Sequence, residues 1–146
     1  MIHISANIQV QNITIDDYSI LNTLIKTIYP PAYKHLWKHG DYSFYINKFF
    51  SKENFQKELI ETNSAYYFVL YKSELVGIFR IKYNCTFPDQ PDVSSSYIHR
   101  IYLGINAQGQ GVAELLFNWA ETNCKQKGNK LVWLKAMDTQ IQALRF

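Results

Sequence analysis

The chain has 146 residues, 47% apolar and 18% charged, which excludes a disordered tail, a collagen-like repeat or a polar low-complexity segment. Fifteen Lys and Arg against twelve Asp and Glu leave a formal charge of +3, spread too thinly to mark a nucleic-acid-binding face. This is the length of one domain, enough to bury a core without disulfides or metal.

The opening residues Met1-Ile2-His3-Ile4-Ser5 lack the basic and then apolar pattern of a signal peptide, and no apolar run approaches the ~18 residues that span a membrane. A single domain over residues 1–146, cytoplasmic and without membrane contact, is therefore expected. Cys85 and Cys124 make no metal-ligand spacing and are expected to be reduced thiols.

The first strand is predicted at about Asn7 to Gln11. A helix from Ile15 to Tyr29 follows, capped by Thr14, with Asp16 and Asp17 at its positive end. Ile20, Leu21, Leu24, Ile25 and Ile28 form its apolar stripe, and Pro30-Pro31 is expected to stop it. Next comes an aromatic stretch with Tyr33, Trp37, Tyr42, Phe44, Tyr45, Phe49 and Phe50, read as one or two short helices broken at Gly40. Ser51 caps a helix to about Thr62, and Phe50 and Phe55 have the spacing of a hydrophobic staple.

A hairpin pattern then runs from Tyr66 to Tyr71, through a turn at Lys72-Ser73-Glu74, and from Leu75 to Tyr83. Cys85 to Ser96, with two prolines and three serines, reads as a loop. Tyr97 to Leu103 is a strand, and Gly111 to Gln126 a helix with Val112, Leu115, Leu116, Trp119 and Ala120 on one face. Leu131 to Ala136 is apolar enough to be a strand covered on both faces, and a last helix begins near Thr139. Helices, antiparallel strands and a strand-helix-strand unit together predict an α/β (α+β) fold with a mixed sheet.

The stretch that carries chemistry is Tyr97 to Ala113, where a strand and a short turn lead into Gln108-Gly109-Gln110-Gly111-Val112-Ala113. Glycines let a backbone approach a ligand closely, and the free N–H groups and positive dipole end of the helix suit a pyrophosphate. The spacing fits neither a dinucleotide-binding G-x-G-x-x-G nor a P-loop. Taken alone, the turn is also compatible with a plain strand–helix connection.

These residues resemble the GNAT acyltransferase superfamily, whose pyrophosphate loop reads Gln/Arg-x-x-Gly-x-Gly/Ala, matched by Gln108, Gly111 and Ala113. Tyr97 to Leu103 stands where that family has its splayed strand, and Trp133 to Phe146 is similar to its next strand and helix. Phe50-Ser51, Glu58-Leu59 and Val76-Gly77 resemble its PaiA-like polyamine acetyltransferase branch.

The resemblance implies acetyl-CoA as acyl-donor co-substrate and no metal. Main-chain groups of Ile101 and Leu103 would hold the pantetheine arm. The N–H groups of Gly109, Gly111, Val112 and Ala113 would hold the pyrophosphate, with Gln108 and Gln110 nearby. Gln140 stands where the family has a cofactor-contacting Asn. The family's thiolate-protonating Tyr and two final strands would follow Phe146, so the domain is expected to be C-terminally incomplete, with its open sheet edge available for a homodimer.

Acyl transfer to an amine needs a proton acceptor, an oxyanion donor and a proton for the departing thiolate. Period-two alternation puts Tyr97 and His99 on one face of the strand, opposite Ile98 and Arg100. His99, with an ordinary pKa near 6.5, is the candidate base in place of the family's Glu, and Tyr97 is a second catalytic candidate. Tyr29, Tyr33 and Trp37, with Tyr45, are candidate walls for an amine, and Asp41 and Glu53 would attract a polyamine.

The expected activity is acetyl transfer to a primary amine of a polyamine-like small molecule by direct attack, since Cys124 lies within a helix away from any base. A catalytically silent acyl-CoA-binding module and an interaction protein using its open edge are the alternatives.

Overall fold

In the computed structural model, residues 1–33 and 42–135 are described. A six-stranded sheet runs in chain order from β1 (Ile2–His3) and β2 (Ile8–Asn12) through β3 (Ser64–Tyr71), β4 (Glu74–Lys82) and β5 (Ser95–Leu103) to β6 (Leu131–Leu134). Neighbours are antiparallel except β5 and β6, which are parallel and joined by α4 (Val112–Gln126). Helices α1 (Tyr18–Tyr33), α2 (Ser43–Phe49) and α3 (Lys52–Ile60) supply the remaining helical layer. The mixed, mostly antiparallel sheet flanked by helices is the architecture expected from the sequence.

Two apolar clusters cover the two faces of the sheet. On one, Val112, Leu116, Ala120 and Cys124 of α4 pack with Val10, Val69, Phe79, Ile81 and Ile98. On the other, Leu21, Leu24, Ile25 and Ile28 of α1 pack with Ile46, Phe50, Phe55, Phe68 and Ile78. Ile20 and Leu115 fall outside these clusters, 49% and 38% exposed. At 3.6 residues per turn Ile20 sits about 90°, and Leu115 about 120°, from the centre of its helix's buried stripe.

The Pro30-Pro31 stop does not hold: α1 contains both prolines. Proline's fixed φ is itself helical, so two prolines near the C-terminal end give up backbone bonds without breaking the turn geometry. The start also differs, since Ile15–Asp17 form a 3-10 turn. There the Asp17 carboxylate accepts from the Thr14 N–H and hydroxyl at 2.8 and 3.0 Å.

Ser51 caps α3 as expected, accepting from the Asn54 N–H at 3.2 Å. Phe50 and Phe55 on either side of it are buried in one cluster. The β3–β4 hairpin closes with Tyr71 opposite Glu74, and Lys72 and Ser73 take φ of 51° and 69°, the left-handed pair that matches strand twist. β6 ends at Leu134 rather than Ala136, and its four residues are half-buried, so the cover expected on both its faces is not present among the described residues. Gly40 and the helix expected from Thr139 lie outside the described residues. No helix among the described residues is long and apolar enough to cross a membrane.

Candidate active site

The site grows from one irregularity in β5. Arg80 pairs with Arg100 and Ile81 with Ile98, so His99 is an extra residue without a partner on β4. A bulge of this kind reverses the alternation of side chains beyond it. Ile98 and Ile101 accordingly both pack toward α4, while His99 and Arg100 both reach Glu58 of α3. The expected alternation of His99 with Arg100 is corrected here.

Pairing with β6 stops at the same place. Ser95 to Ile98 match Leu131 to Leu134 in register. From His99 to Leu103 the outer edge of β5 has no strand partner among the described residues. An unpaired strand edge presents alternating N–H and C=O groups to an extended, amide-bearing chain. Ile101 and Leu103, the expected pantetheine-holding residues, lie on this stretch.

The edge leads into the glycine turn. Gly109 and Gly111 have φ of 75° and 77°, conformations that favour glycine, and a Cβ built on either would meet nothing within 4 Å. The first helical bond of α4 runs from the Leu115 N–H to the Gly111 carbonyl at 3.2 Å. The N–H groups of Val112 and Ala113 therefore precede the helical ladder and stand at its positive end. Gln108 ties turn to strand, its Nε2 donating to the Leu103 carbonyl at 3.3 Å, while Gln110 is exposed. An open cradle of unpaired N–H groups continuous with an unpaired strand edge fits a diphosphate joined to an amide-bearing arm. Gln140 lies outside the described residues.

Around His99 the structure assembles charges that sequence reading missed. Arg80 is 1% exposed. It donates Nη1–H to His99 Nδ1 at 2.8 Å, and Nη2–H to the Glu58 carbonyl at 3.1 Å and Glu61 Oε2 at 2.9 Å. Arg100 donates to Glu58 Oε1 at 2.6 Å, lies 3.4 Å from the Tyr66 hydroxyl, and stacks 4.8 Å over the Phe50 ring. Lys82 completes the group, 2.9 Å from Glu61 Oε1. The available signal was a charged residue in the middle of each apolar strand, Arg80 in Ile78-Phe79-Arg80-Ile81 and Arg100 in Ile98-His99-Arg100-Ile101. Such residues are almost never buried unless paired.

A guanidinium has only donors, so Nδ1 of His99 is the acceptor and the ring proton sits on Nε2. Burial first, then the charges of Arg100, Arg80 and Lys82, push the His99 pKa down to about 3. The ring is neutral at pH 7, and its one lone pair is already in use. That state does not suit the proton-accepting role read from the sequence; what the ring offers is an N–H donor. Tyr97 stacks on Trp133 with centroids 4.1 Å apart, and burial raises its pKa, so its phenol keeps its proton.

Of the expected acceptor wall, Tyr29 is a core residue, 3% exposed. It stacks on Tyr45 at 5.5 Å and meets the edge of Tyr102 at 5.4 Å. Tyr45 and Tyr102, hydroxyl to hydroxyl, are the half-buried aromatics beside it. The Tyr33 side chain, Trp37 and Asp41 lie outside the described residues, and Glu53 is exposed in an ion pair with Lys57. Both cysteines are free. No cluster of His, Cys, Asp and Glu among the described residues could hold a metal.

Comparison with known proteins agrees with this arrangement. The chain is 23% identical over 106 residues to an uncharacterized N-acetyltransferase in the pepI 3′ region of Lactobacillus delbrueckii subsp. lactis, matching 73% of this chain and spanning 61% of that relative's length. The PaiA N-acetyltransferase of Thermoplasma acidophilum, solved in complex with coenzyme A, superposes with a TM-score of 0.76 at 17% identity, over 94% of this chain and 84% of that one. The aminoglycoside acetyltransferase meta-AAC0020 from an uncultured soil metagenomic sample, in complex with sisomicin, gives 0.63 at 19% identity, over 97% and 86%. The profile of the acetyltransferase (GNAT) family matches residues 23–146, and the chain belongs to that family.

Proposed function

We propose that this chain is an acetyl-CoA-dependent N-acetyltransferase that acts on a primary amine of a small molecule. The observation that carries this reading is continuity: the β5 edge freed at His99 runs directly into the left-handed glycine turn at the start of α4. The residues present suit the co-substrate. Backbone N–H groups of Gly109, Gly111, Val112 and Ala113 would hold its diphosphate, with Gln108 bracing the turn and Gln110 at its rim. Main-chain groups of Ile101 and Leu103 would pair with its amides.

When bound, acetyl-CoA supplies a thioester carbonyl for the amine to attack, the C–N bond forming as the C–S bond breaks and one amine proton ending on the thiol. His99, held as a neutral donor, would hydrogen-bond the carbonyl oxygen as charge develops there. Tyr97, its phenol protonated at neutral pH, would deliver a proton to the departing sulfur. Burial holds the Cys124 thiol above its ordinary pKa within the core, which favours direct transfer over an acyl-enzyme.

The two acceptor classes to test are polyamines, from the PaiA-like resemblance, and aminoglycosides, from the sisomicin-bound neighbour. The first experiment is a thermal-shift titration with acetyl-CoA. At about 100 times Kd the ligand should add about 2.7 kcal/mol of stability. Release of CoA thiol across an amine panel follows. A flat titration together with no thiol release for any amine overturns the proposal.

A further inference from the structure

We propose that none of the described side chains at this site serves as base and that it selects acceptor amines of low basicity, because Arg80 occupies the one ring lone pair of His99 and the charges around that ring leave a cation in excess. The proposal rests on the transferase reading above and names its substrate class.

The charged and titratable groups packed about His99 come from three elements, and the cations outnumber the carboxylates. From β4 come Arg80 and Lys82, from β5 Arg100 and Tyr97, and from α3 Glu58 and Glu61. Three cations meet two carboxylates, and three minus two leaves +1. Each carboxylate is paired with a cation: Glu58 through Oε1 with Arg100 at 2.6 Å, its Oε2 lying 4.0 Å from His99 Nδ1, and Glu61 with Arg80 and Lys82 at 2.9 Å each. The Tyr66 phenol behind them keeps its proton, its pKa raised by burial to about 12.

An ammonium arriving at His99 therefore meets N–H donors and net positive charge, and among the described residues each carboxylate beside the ring is already paired with a cation. A free amine meets neither obstacle. The ammonium proton is lost to water before attack, and the site takes the neutral form from solution. An α-amine has a pKa near 8 and a lysine-like side-chain amine about 10.4, so at pH 7.5 the free-base fractions differ on the order of a hundredfold. Weakly basic amines are favoured over the strongly basic amines of alkyl polyamines. This sets aside the polyamine-like acceptor in favour of compounds whose amino group is flanked by electron-withdrawing carbon.

The test uses two isomeric acceptors with the whole chain and acetyl-CoA. One is a lysine methylamide blocked at Nε, with its α-amine free; the other is blocked at Nα. CoA thiol release is followed from pH 6 to 10. The α-amine should be preferred at least tenfold in kcat/KM at pH 7.5, and the inflection should move with the pKa of the amine used. Preference for the ε-amine, or one inflection common to both amines, overturns the proposal and leaves the transferase reading standing. If neither isomer nor any amine of the wider panel is acetylated, both fall.

A second readout needs no acetyl-CoA. In 15N-histidine spectra, the His99 ring should be the Nε2–H tautomer with no titration between pH 5 and 9, and Arg80→Gln should restore titration in that window. An Nδ1–H tautomer, or titration near 6.5 in the parent chain, overturns the proposal. Arg80→Lys should keep the parent behaviour in part, separating the hydrogen bond from a general loss of packing.

Discussion

Glu58 offers the sharpest test of the network that joins α3 to the bulged strand. Its carboxylate accepts from buried Arg100 at 2.6 Å, and the other side-chain oxygen near that guanidinium is the Tyr66 hydroxyl, at a long 3.4 Å. Glu58→Ala leaves a buried cation over the Phe50 ring, and breaking such a pair costs about 3–5 kcal/mol. In a domain of this size that lowers Tm by about 10–15 °C. Glu58→Gln keeps one oxygen and the volume, and should lose about 1.5–3 kcal/mol, the worth of a charged hydrogen bond. The bond from Arg80 to the Glu58 carbonyl involves main chain and survives in every variant. The double variant Glu58→Leu with Arg100→Met removes both charges and should recover most of the loss, because apolar replacements of a buried pair are often close to neutral. Urea unfolding followed by circular dichroism at pH 7 measures all four proteins. Single variants losing under about 1 kcal/mol, or a double variant no more stable than Glu58→Ala, would refute the reasoning.

Gly111 and Gly128 share left-handed φ of 77° and 81° and open space where a Cβ would sit, so each Gly→Ala change should cost about 1 kcal/mol in thermal unfolding. Only Gly111→Ala should also weaken the acetyl-CoA-induced shift, by tenfold or more in apparent Kd, since Gly128 lies at the far end of α4. Acid sensitivity has two sources. Burial opposes ionisation of Glu61, but hydrogen bonds from Lys82 and Arg80 outweigh it and hold the carboxyl below its ordinary value; its stabilisation is present above about pH 4.5 and is lost as pH falls through the lowered value. His99 is neutral when folded but takes up a proton below about pH 6.5 when unfolded, so stability also falls from there toward pH 3. Urea midpoints from pH 3 to 7 should therefore fall less steeply than in the parent below about pH 4.5 in Glu61→Gln and from about pH 6.5 downward in His99→Gln. Placing Asn-Gly at Lys72-Ser73 relieves two left-handed residues without changing register and should add about 1 kcal/mol in the same assay.

Where a segment's local chemistry and its packing agree, the sequence was readable. Ser51 with its flanking Phe50 and Phe55, the Lys72-Ser73 turn, and Gly111 opening α4 all carry their reasons within a few residues of themselves. The glycine turn was legible for the same cause, because a left-handed N-cap needs glycine wherever the fold places it. Pro30-Pro31 misled because the local penalty is real but smaller than what α1 gains from its buried face. The charged network was harder to see, since its members are far apart in the chain: Glu58 and Arg100 are 42 residues apart, Arg80 and His99 are 19. A charged side chain inside an apolar strand marks a buried partner without saying which one. The protonation state of His99 depends on that partner, and a base was read where the partner makes a donor.

The bulge at His99 is the step from which the rest follows. Strict alternation over Tyr97 to Leu103 would send Arg100 to the face of Ile98, among Phe79, Ile81 and Leu116, where no carboxylate could meet it. An unpaired buried guanidinium there would cost more than the strand could offset. The extra residue turns Arg100 onto Glu58 instead, and it puts His99 within reach of Arg80 on the same side. Pairing with β6 ends at Ile98, the residue before the bulge. The irregularity that satisfies the buried charge thus sits where the strand edge leading to the glycine turn becomes unpaired among the described residues. The Glu58–Arg100 pair and the start of the free edge meet at a single inserted residue, so changes that relax the pair should be felt at the edge.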